Sequence, residues 1–561
     1  MQSRVAIIGT GPTGIYTLAG LVGHMVPMEI SIFEVEAEPG KGTPYHPDAN
    51  DRTMLANIAS VELPPITQSL TEWLSGLPEQ ELFRLGIARA AISEREFYPR
   101  VVLGEFLQTQ FHALVDFGTT NGHIIVVRSS HRVVDIRLNK DDISLSTETL
   151  AGERKDYAFD HVVMATGHNW PDRTEVKPGY FISPWPAGDL KTIKPAPVGI
   201  LGTSLSAIDA LMTVSTAHGV FYRDAAGQLQ YAPSAGSEDL HVTMMSRKGL
   251  LPEADFHCEY PYRPLTVCTP AAVADAIAAG KSQLLDRAFE LFARELAACD
   301  PDYAAHIALP SLNADNFANA YFADRNEADP FAWAARNLAE ADHNKRHEIT
   351  VEWRYAILRM HEVIAKIVPH LDEDDLKRFG RGLKTIFIDD YATVPHLSIE
   401  RMLALHRAGK LSIMRLGSDY KLDTDTVEVG ARILLDGQAH DFEAFIDATG
   451  QSALSVRDLP FPSLISQGAV KPAKTLTSAE QADLSDPTYK ATGGIELDAQ
   501  YRPIVPAPLC ANLYCAAIPF LLHKSPFVQG ITSAKEIGDI VSAAIRGNAT
   551  DTTSSLILES A

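Results

Sequence analysis

The chain contains 561 residues, and 46% of them are hydrophobic, so it can bury several cores. At about 150 residues per domain, this length predicts three or four structural units. The formal net charge of −22 argues against nucleic acid as a partner, because a phosphate backbone would be repelled. The sequence contains no run of about 18 apolar residues, so no membrane span is predicted.

The cysteine content points to a reducing compartment. None of the five cysteines forms a CxxC pair, which argues against a disulfide framework, a zinc site and a redox-active dithiol. The chain runs directly into an apolar strand at Val5, which leaves no room for a signal peptide, so we expect a cytoplasmic protein. The sequence leaves a homo-oligomer open.

The first 170 residues predict a βαβ opening followed by further strands. A strand over 4–9 precedes a glycine-rich turn, a helix from Ile15 to about Val26 and a strand from Ile30 to Phe33. Residues 124–138 and 143–149 are predicted hairpin strands, and 160–165 another strand. The Pro-rich passage between Pro171 and Pro197 predicts a linker.

A second strand–glycine–helix pattern begins at Val198. Its helix is predicted to run to about Ser215, and its next strand covers 241–245. Residues 269–394 have helical spacing and predict a helical insertion. Strands return at 411–416, 433–435 and 445–447, and the chain closes with a strand at 513–515 and a helix over 530–545.

This order predicts an α/β fold with two Rossmann-like, doubly wound, three-layer dinucleotide-binding domains and a mostly helical insertion. Each glycine turn is followed much later by an apolar strand that ends in Ala-Thr-Gly, at Thr166-Gly167 and at Thr449-Gly450. The expected divisions are 1–195 and 456–548 for the first nucleotide domain, 196–268 and 395–455 for the second, 269–394 for the insertion, and 549–561 for a disordered tail.

The first glycine turn is a complete G-x-G-x-x-G motif. Gly9 permits the tight turn, Gly11 lets the backbone approach a pyrophosphate, and Gly14 lets the helix and strand pack closely. Pro12 and Thr13 open the helix, whose N-terminal amides face the phosphates. Glu34 ends the next strand, where a carboxylate binds ribose hydroxyls and repels a 2′-phosphate. The motif therefore predicts FAD or NAD.

The second glycine turn departs from this motif but keeps small residues. Gly202 is followed by Thr203, Ser204 and Ser206, whose hydroxyls can donate to phosphate oxygens. The next strand ends in Ser246-Arg247-Lys248 instead of an acid. Because an arginine at this position can pair with a 2′-phosphate, the pattern favours NADPH over NADH. We therefore expect FAD in the first domain and NADPH in the second.

Four further stretches match one group of flavoproteins. They are Gly40–Tyr45 with 54–57, 97–100 with Gly104, Val133, and 493–498. With these stretches and its glycine motifs, the chain resembles the two-dinucleotide FAD/NAD(P)-binding family related to N-hydroxylating and other class B flavin monooxygenases. The resemblance implies that Gly42, Tyr45 and Asn57 lie beside the flavin and that the backbone of Val133 lies against the adenine. It also suggests a subgroup that oxidises the amino group of aspartate to nitrosuccinate.

Asn57, His523 and Lys524 are the candidate catalytic residues, Asn57 by its family position and the other two because they precede the last helix. Gly530, which opens that helix, is a further cofactor candidate. Arg100 can anchor a phosphate or a carboxylate, or else cap the helix that it begins. A dicarboxylate substrate would need a base, and the insertion offers Arg325, Arg354 and Arg359. No metal is expected at Asp389–His396, because adjacent side chains diverge.

These observations predict an FAD-dependent monooxygenase that uses NADPH and O2 to oxidise the amino group of a small amino acid such as aspartate. One alternative is a flavin-dependent NADPH dehydrogenase or reductase that inserts no oxygen. A second alternative is a non-catalytic nucleotide-binding redox sensor. Shared cofactor motifs do not choose among these three, because fold does not determine chemistry.

Overall fold

The structure is a computed structural model that describes residues 2–24, 26–167, 174–450, 454–476, 489–528 and 530–547. The predicted disordered tail at 549–561 lies outside these residues. Within the described residues, no helix is both long and apolar enough to cross a membrane.

The first unit is built on a parallel five-stranded sheet with the order β21-β7-β1-β2-β3. Its N-terminal elements are β1 (Arg4–Ile8), α1 (Pro12–Val22), β2 (Glu29–Phe33), α2 (Leu70–Gly76), α3 (Glu79–Leu85), α4 (Arg100–Thr120), β3 (Ile124–Arg128), β4 (His131–Leu138), β5 (Ile143–Thr149), β6 (Arg154–Phe159) and β7 (His161–Met164). Its C-terminal elements are α17 (Pro462–Ser466), β19 (Pro472–Leu476), β20 (Tyr489–Ile495), β21 (Leu513–Cys515) and α18 (Gly530–Ile545).

The predicted hairpin at 124–149 is wrong in its first part. Strand β3 pairs in parallel with β2 and belongs to the main sheet. The antiparallel meander comprises β4, β5 and β6 instead. The sequence of Ile124 to Arg128 does not distinguish an edge strand of a parallel sheet from one strand of a hairpin, because both are short runs of β-branched residues.

The second unit contains a six-stranded sheet with the order β14-β13-β10-β18-β9-β8. Its elements before the insertion are β8 (Glu175–Lys177), β9 (Tyr180–Phe181), α5 (Ala187–Leu190), β10 (Pro197–Leu201), α6 (Leu205–Ala217), β11 (Gly219–Arg223), β12 (Leu229–Pro233) and β13 (His241–Ser246). After it come α16 (His396–Arg407), β14 (Leu411–Arg415), β15 (Lys421–Asp423), β16 (Ala431–Leu435), β17 (Gln438–Phe442) and β18 (Ala444–Asp447). The described part of the Pro-rich passage is therefore more than a linker, since β8 and β9 extend this sheet.

Both units repeat one plan. A central strand pairs in parallel with the next strand of its sheet and with a late strand: β1 with β2 and β7, and β10 with β13 and β18. A three-stranded antiparallel meander precedes each late strand, β4–β6 before β7 and β15–β17 before β18. The predicted fold of two Rossmann-like units is confirmed, with a meander as one outer layer of each.

The insertion between the two halves of the second unit is helical. Its helices are α7 (Pro270–Ala278), α8 (Leu284–Cys299), α9 (Pro301–His306), α10 (Phe317–Tyr321), α11 (Ala323–Glu327), α12 (Pro330–His347), α13 (Glu352–Ala365), α14 (Glu373–Arg381) and α15 (Leu383–Tyr391). They enclose an aromatic core in which Phe292, Phe317 and Phe387 pack edge to face. This core is distinct from those of the two sheets, and Phe527 from the C-terminal part of the first unit packs into it against Phe387.

Candidate functional site

The first glycine turn packs as a dinucleotide loop does. Gly9 adopts a φ of +101°, and a Cβ on it would overlap the carbonyl oxygen of Ala165, just before Thr166. A Cβ on Gly14 would overlap the carbonyl oxygen of Gly9. By contrast, a Cβ on Gly11 would meet only the Cα of Gly42, at 3.6 Å. Gly9 and Gly14 are therefore needed for packing, whereas Gly11 leaves room for a ligand.

Glu34 lies next to this turn, as predicted, but it is already bonded to the protein. One of its carboxylate oxygens accepts hydrogen bonds from the amide (2.8 Å) and hydroxyl (2.5 Å) of Thr10, and the other accepts from the amide of Glu36 at 3.1 Å. A carboxylate offers about four acceptor positions. Glu34 therefore fixes the turn and keeps about one position for a ribose hydroxyl.

The segment with Gly42, Tyr45 and Asn57 is held against helix α4. The carbonyl of Tyr45 lies where a Cβ on Gly104 would be, so the loop approaches α4 closely. The amide of Ala56 donates to Tyr98 O at 2.9 Å, and the amide of Arg100 donates to Met54 O at 2.9 Å. These bonds place Asn57 at the boundary between the two nucleotide units.

The buried Oδ1 of Asn57 has no hydrogen-bond partner within the part of the chain that the structure describes. An orphaned acceptor is costly unless a ligand or water donates to it. With the free space at Gly11, this orphan meets the requirements of an FAD site. Val133 is buried in β4. This strand begins near the end of β2, since the amide of His131 donates to the carbonyl of Glu34 at 2.8 Å.

The second glycine turn has the same design with a wider opening. Gly202 adopts a φ of +131°, and its amide donates to Met245 O at 2.7 Å. Thr203 Oγ1 lies 3.1 Å from Ser246 Oγ, which ties the turn to the end of β13. Ser204 occupies the N-cap position of helix α6, but its side chain makes no capping hydrogen bond. The hydroxyls of Ser204 and Ser206 at this helix start suit an anion.

The two bases that follow β13 have different surroundings. Both residues are exposed, and the guanidinium of Arg247 has no ion pair or hydrogen bond within the described residues. The ammonium of Lys248 instead lies 3.2 Å from the ring centroid of Phe322, in the insertion. Burial lowers the pKa of Lys248 to about 8. Arg247 is therefore free to bind a phosphate, while Lys248 joins the second unit to the insertion.

Arg100 pairs with the protein itself and does not cap α4, whose N-cap is Pro99. Its guanidinium lies 2.7 Å from Oδ2 of Asp209, a buried carboxylate on α6 of the second unit. Burial raises the pKa of Asp209 to about 6, although Arg100 acts against the shift. This ion pair links the two units, and the cofactor role of Arg100 stays a prediction.

A cavity lies where the three units meet. The cavity and its opening to solvent together span about 690 Å³ of space that no protein atom fills. Asn57 and Phe97 come from the first unit, the segment 255–258 follows the second sheet, and Leu358 belongs to the insertion. The cavity also carries charged groups of both signs, namely Glu62, Arg95, Asp255, Lys345 and Asp390. A smaller cavity on the other side of Asn57 is lined by Arg100 and Asp209.

The arginines proposed from the insertion do not line this cavity. Arg325 pairs with Asp389 at 2.5 Å, and Arg354 pairs with the buried Glu253. Arg359 donates to backbone carbonyls of Tyr355, Arg263 and Pro264. The bases at the cavity are Arg95 and Lys345 instead. Sequence spacing gave no signal for them, because the fold brings them together from positions 250 residues apart.

His523 and Lys524 lie beside the C-terminal segment of the first unit, and neither lines the two cavities. Nδ1 of His523 lies 3.1 Å from Phe520 O, and its buried Nε2 has no partner within the described residues. Burial lowers the pKa of His523 to about 4, so the ring is neutral at pH 7. Lys524 donates to Leu497 O at 2.8 Å. The catalytic roles of His523 and Lys524 stay predictions.

Comparisons with known proteins address the family. Residues 6–169 match the FAD-NAD(P)-binding family, and residues 269–391 match the YdhS-like middle domain. The uncharacterized protein YdhS of Escherichia coli K12 is 42% identical over 545 residues, which cover 97% of each chain. The chain belongs to the YdhS family. The YdhS-like middle domain is thus the helical insertion, which the sequence predicted as helical but could not name.

Two solved structures that match this chain have 12% sequence identity to it. Ornithine hydroxylase (PvdA) of Pseudomonas aeruginosa covers 98% of this chain and 99% of its own, with a TM-score of 0.47. Ornithine N-hydroxylase (KtzI) of Kutzneria sp. 744 covers 98% and 100%, also at 0.47. The match at 6–169 confirms the predicted FAD/NAD(P)-binding domain of this YdhS-family chain and supports its predicted class, a flavin-dependent oxidoreductase.

Proposed function

We propose that this protein is a monooxygenase that uses FAD, NADPH and O2 to oxidise the amino group of a small amino acid. In this proposal FAD binds at Gly9–Gly14 with Glu34, Gly42, Tyr45, Val133, Thr166, Gly167 and Gly530, and NADPH binds at Gly202–Ser206 with Arg247, Thr449 and Gly450. The observation that carries the proposal is the shared cavity, which is lined by Asn57 and by residues of all three units.

Reduced FAD supplies the activated oxygen in such enzymes. The residues of this chain have to orient the amine and limit water. Phe97, Phe256 and Leu358 provide apolar wall around the chamber. The free Oδ1 of Asn57 can accept a hydrogen bond from the flavin or from the amine. Arg95 and Lys345 can bind a substrate carboxylate at the exposed side.

The first experiment is spectroscopic. Purified protein should be yellow and should be bleached by NADPH in the absence of oxygen. A colourless protein that added flavin does not turn yellow contradicts the proposal and favours a different kind of nucleotide-binding protein, such as a sensor.

The second experiment separates oxygen insertion from simple reduction. A panel of amino acids that includes aspartate is tested for NADPH-dependent oxygen uptake, with mass analysis of the products. We expect one member to gain oxygen in proportion to the NADPH consumed. If oxygen uptake yields only hydrogen peroxide with every amine, the reductase alternative is correct. Asn57→Ala should slow oxygenation, whereas Asn319→Ala, an exposed position in the insertion, serves as the matched control.

A further inference from the structure

The shared cavity contains a buried carboxyl group that the protein does not use. Asp390 is 0% exposed, and neither of its carboxylate oxygens has a hydrogen-bond partner among the residues that the structure describes. Its neighbour Asp389 faces the other way and accepts from Arg325 and Tyr321. A buried carboxyl without a donor is costly, and such groups call for a ligand.

The basic groups of the insertion do not satisfy Asp390. Arg354 acts on it electrostatically but pairs directly with Glu253, whose other oxygen accepts from Trp333 Nε1 at 2.7 Å. Arg325 is held by Asp389 and by Leu251 O. Nη1 of Arg354 also has no hydrogen-bond partner among the described residues, so Asp390 lies in the field of this guanidinium without a direct bond to it, in the wall of the cavity.

Asp255 is a second acid with spare capacity on the same cavity. Its backbone is fixed, since its amide donates to Val394 O at 2.8 Å and His396 Nε2 lies 2.7 Å from its carbonyl oxygen. Its carboxylate has one long hydrogen bond, from Thr393 Oγ1 at 3.4 Å. The third acid, Glu62, is partly used by the hydroxyl of Tyr262 at 2.7 Å.

All three acids act on one buried group. The buried thiol of Cys258 lies in the same wall, and its pKa is raised to about 12 by burial and by Glu62, Asp255 and Asp390. Of the two bases, Lys345 is exposed and donates to Arg95 O at 3.4 Å, whereas Asp390 is fully buried. The most buried charged group of the chamber is therefore an acid and the most exposed one a base, while Asp255 lies within electrostatic reach of Arg95 and Lys345.

We propose that Asp390 and Asp255 form the subsite that binds the ammonium group of the substrate, with the substrate carboxylate held near Arg95 and Lys345. This inference rests on the proposed function and specifies its substrate class as an aliphatic primary amine with a single acid group at the opposite end. A second carboxylate at the buried end would meet two acids, so aspartate ranks below a monocarboxylate amine of similar length.

The ionisation of the two acids gives an independent signature. Burial raises the pKa of Asp255 to about 7 and that of Asp390 well above its ordinary value. An ammonium ion stabilises the charged carboxylates, so its binding at neutral pH should release protons to the buffer. The groups that also act on these acids are Asp389, Arg354, Glu62, Arg95, Lys345, Cys258, Tyr303 and Tyr321.

The test measures binding and does not depend on turnover. The FAD-loaded protein is titrated calorimetrically with 4-aminobutyrate and with butyrate, which differ only in the ammonium group. We expect 4-aminobutyrate to bind at least about tenfold more tightly and to release protons, as judged in buffers of different ionisation enthalpy. Asp390→Asn and Asp255→Asn should each remove most of this preference, while Asp275→Asn, an exposed acid of the insertion, should not.

Asp390→Asn should fold, because the carboxyl has no hydrogen bond to lose, and thermal unfolding checks this. Equal binding of the two ligands, an unchanged preference in both variants, or no binding of 4-aminobutyrate at tens of millimolar overturns the inference. Each of these outcomes leaves the proposed function standing if NADPH-dependent oxygenation is found with another amine. Conversely, ammonium binding without oxygenation contradicts the proposed function and retains the subsite.

Discussion

Gly11 and Gly14 are three residues apart, yet their surroundings predict opposite effects of the same substitution. Gly11→Ala should leave the unfolding temperature of the flavin-free protein nearly unchanged, because its new Cβ meets only ordinary contacts. It should lower FAD affinity by about tenfold or more, since the methyl group enters the pyrophosphate space. Gly14→Ala should destabilise the fold by about 3 kcal/mol, because its Cβ overlaps backbone. Flavin content and thermal unfolding distinguish the two, and full flavin occupancy in Gly11→Ala would place the FAD elsewhere.

Arg247 provides a test of nicotinamide specificity at a single side chain. Arg247→Ala should raise the KM for NADPH roughly 10- to 100-fold, which corresponds to the loss of one charge-assisted hydrogen bond. The KM for NADH should change little. The control is Arg294→Ala, an exposed arginine on α8 without a partner among the described residues. An unchanged ratio of the two KM values would show that the 2′-phosphate is bound elsewhere.

At this scale the sequence predicts residues within a motif and misses residues brought together by the fold. Gly9, Gly11, Gly14 and Glu34 are predicted at their observed places, because a local turn defines their positions. The partner of Arg100 is not predicted, since Asp209 is 109 positions away on another unit. From the sequence, Asp390 is considered only as part of a stretch in which no metal is expected. Its burial and its lack of hydrogen-bond partners depend on the tertiary structure.

Helices α1 and α18 form the most demanding contact between elements. A Cβ on Gly538 would lie 2.8 Å from the backbone nitrogen of Thr17, so α18 packs directly on the backbone of α1. Gly538→Ala should lower the free energy of unfolding by about 2 kcal/mol despite the better helix propensity of alanine. Gly380→Ala on α14 should raise it by about 0.5 to 1 kcal/mol, because that position is open. Denaturant unfolding compares the two, and equal effects would mean that the contact is loose.

The elements themselves are largely readable from periodicity. Strand β21 and helix α18 are predicted at their observed bounds, because an apolar strand and an amphipathic helix stand between clear turn residues. Strands β8 and β9 are missed because three- and two-residue strands amid prolines carry no period. The assignment of β3 fails because pairing partners are not encoded in a single short run.

The Arg100–Asp209 pair couples the two nucleotide units. Loss of this pair should therefore lower the stability of the whole molecule by an amount that depends on pH. Arg100→Met removes the charge that holds the pKa of Asp209 near about 6, so the buried carboxyl of the variant should stay protonated to higher pH. Below about pH 5 the carboxyl is protonated in both folded proteins, and their difference should be small. At about pH 8 the wild type ionises a paired carboxylate, and the variant should be less stable by about 3 kcal/mol.

Thermal or denaturant unfolding at both pH values measures this difference. Arg294→Met is the control, because that side chain is exposed and should show no such trend. A loss that is the same at both pH values would mean that Asp209 is not the titrating group.

The strand order of the first sheet has a consequence for synthesis on the ribosome. Strand β21 pairs with β7, although some 350 residues separate them in the chain. Until the last hundred residues emerge, the nascent first unit lacks a sheet edge and the helix that covers α1, whereas the second unit and the insertion are complete. We therefore expect FAD to bind only after translation is complete. Chains that are interrupted after β18 should be released from the ribosome in a form that binds nicotinamide nucleotide but not FAD.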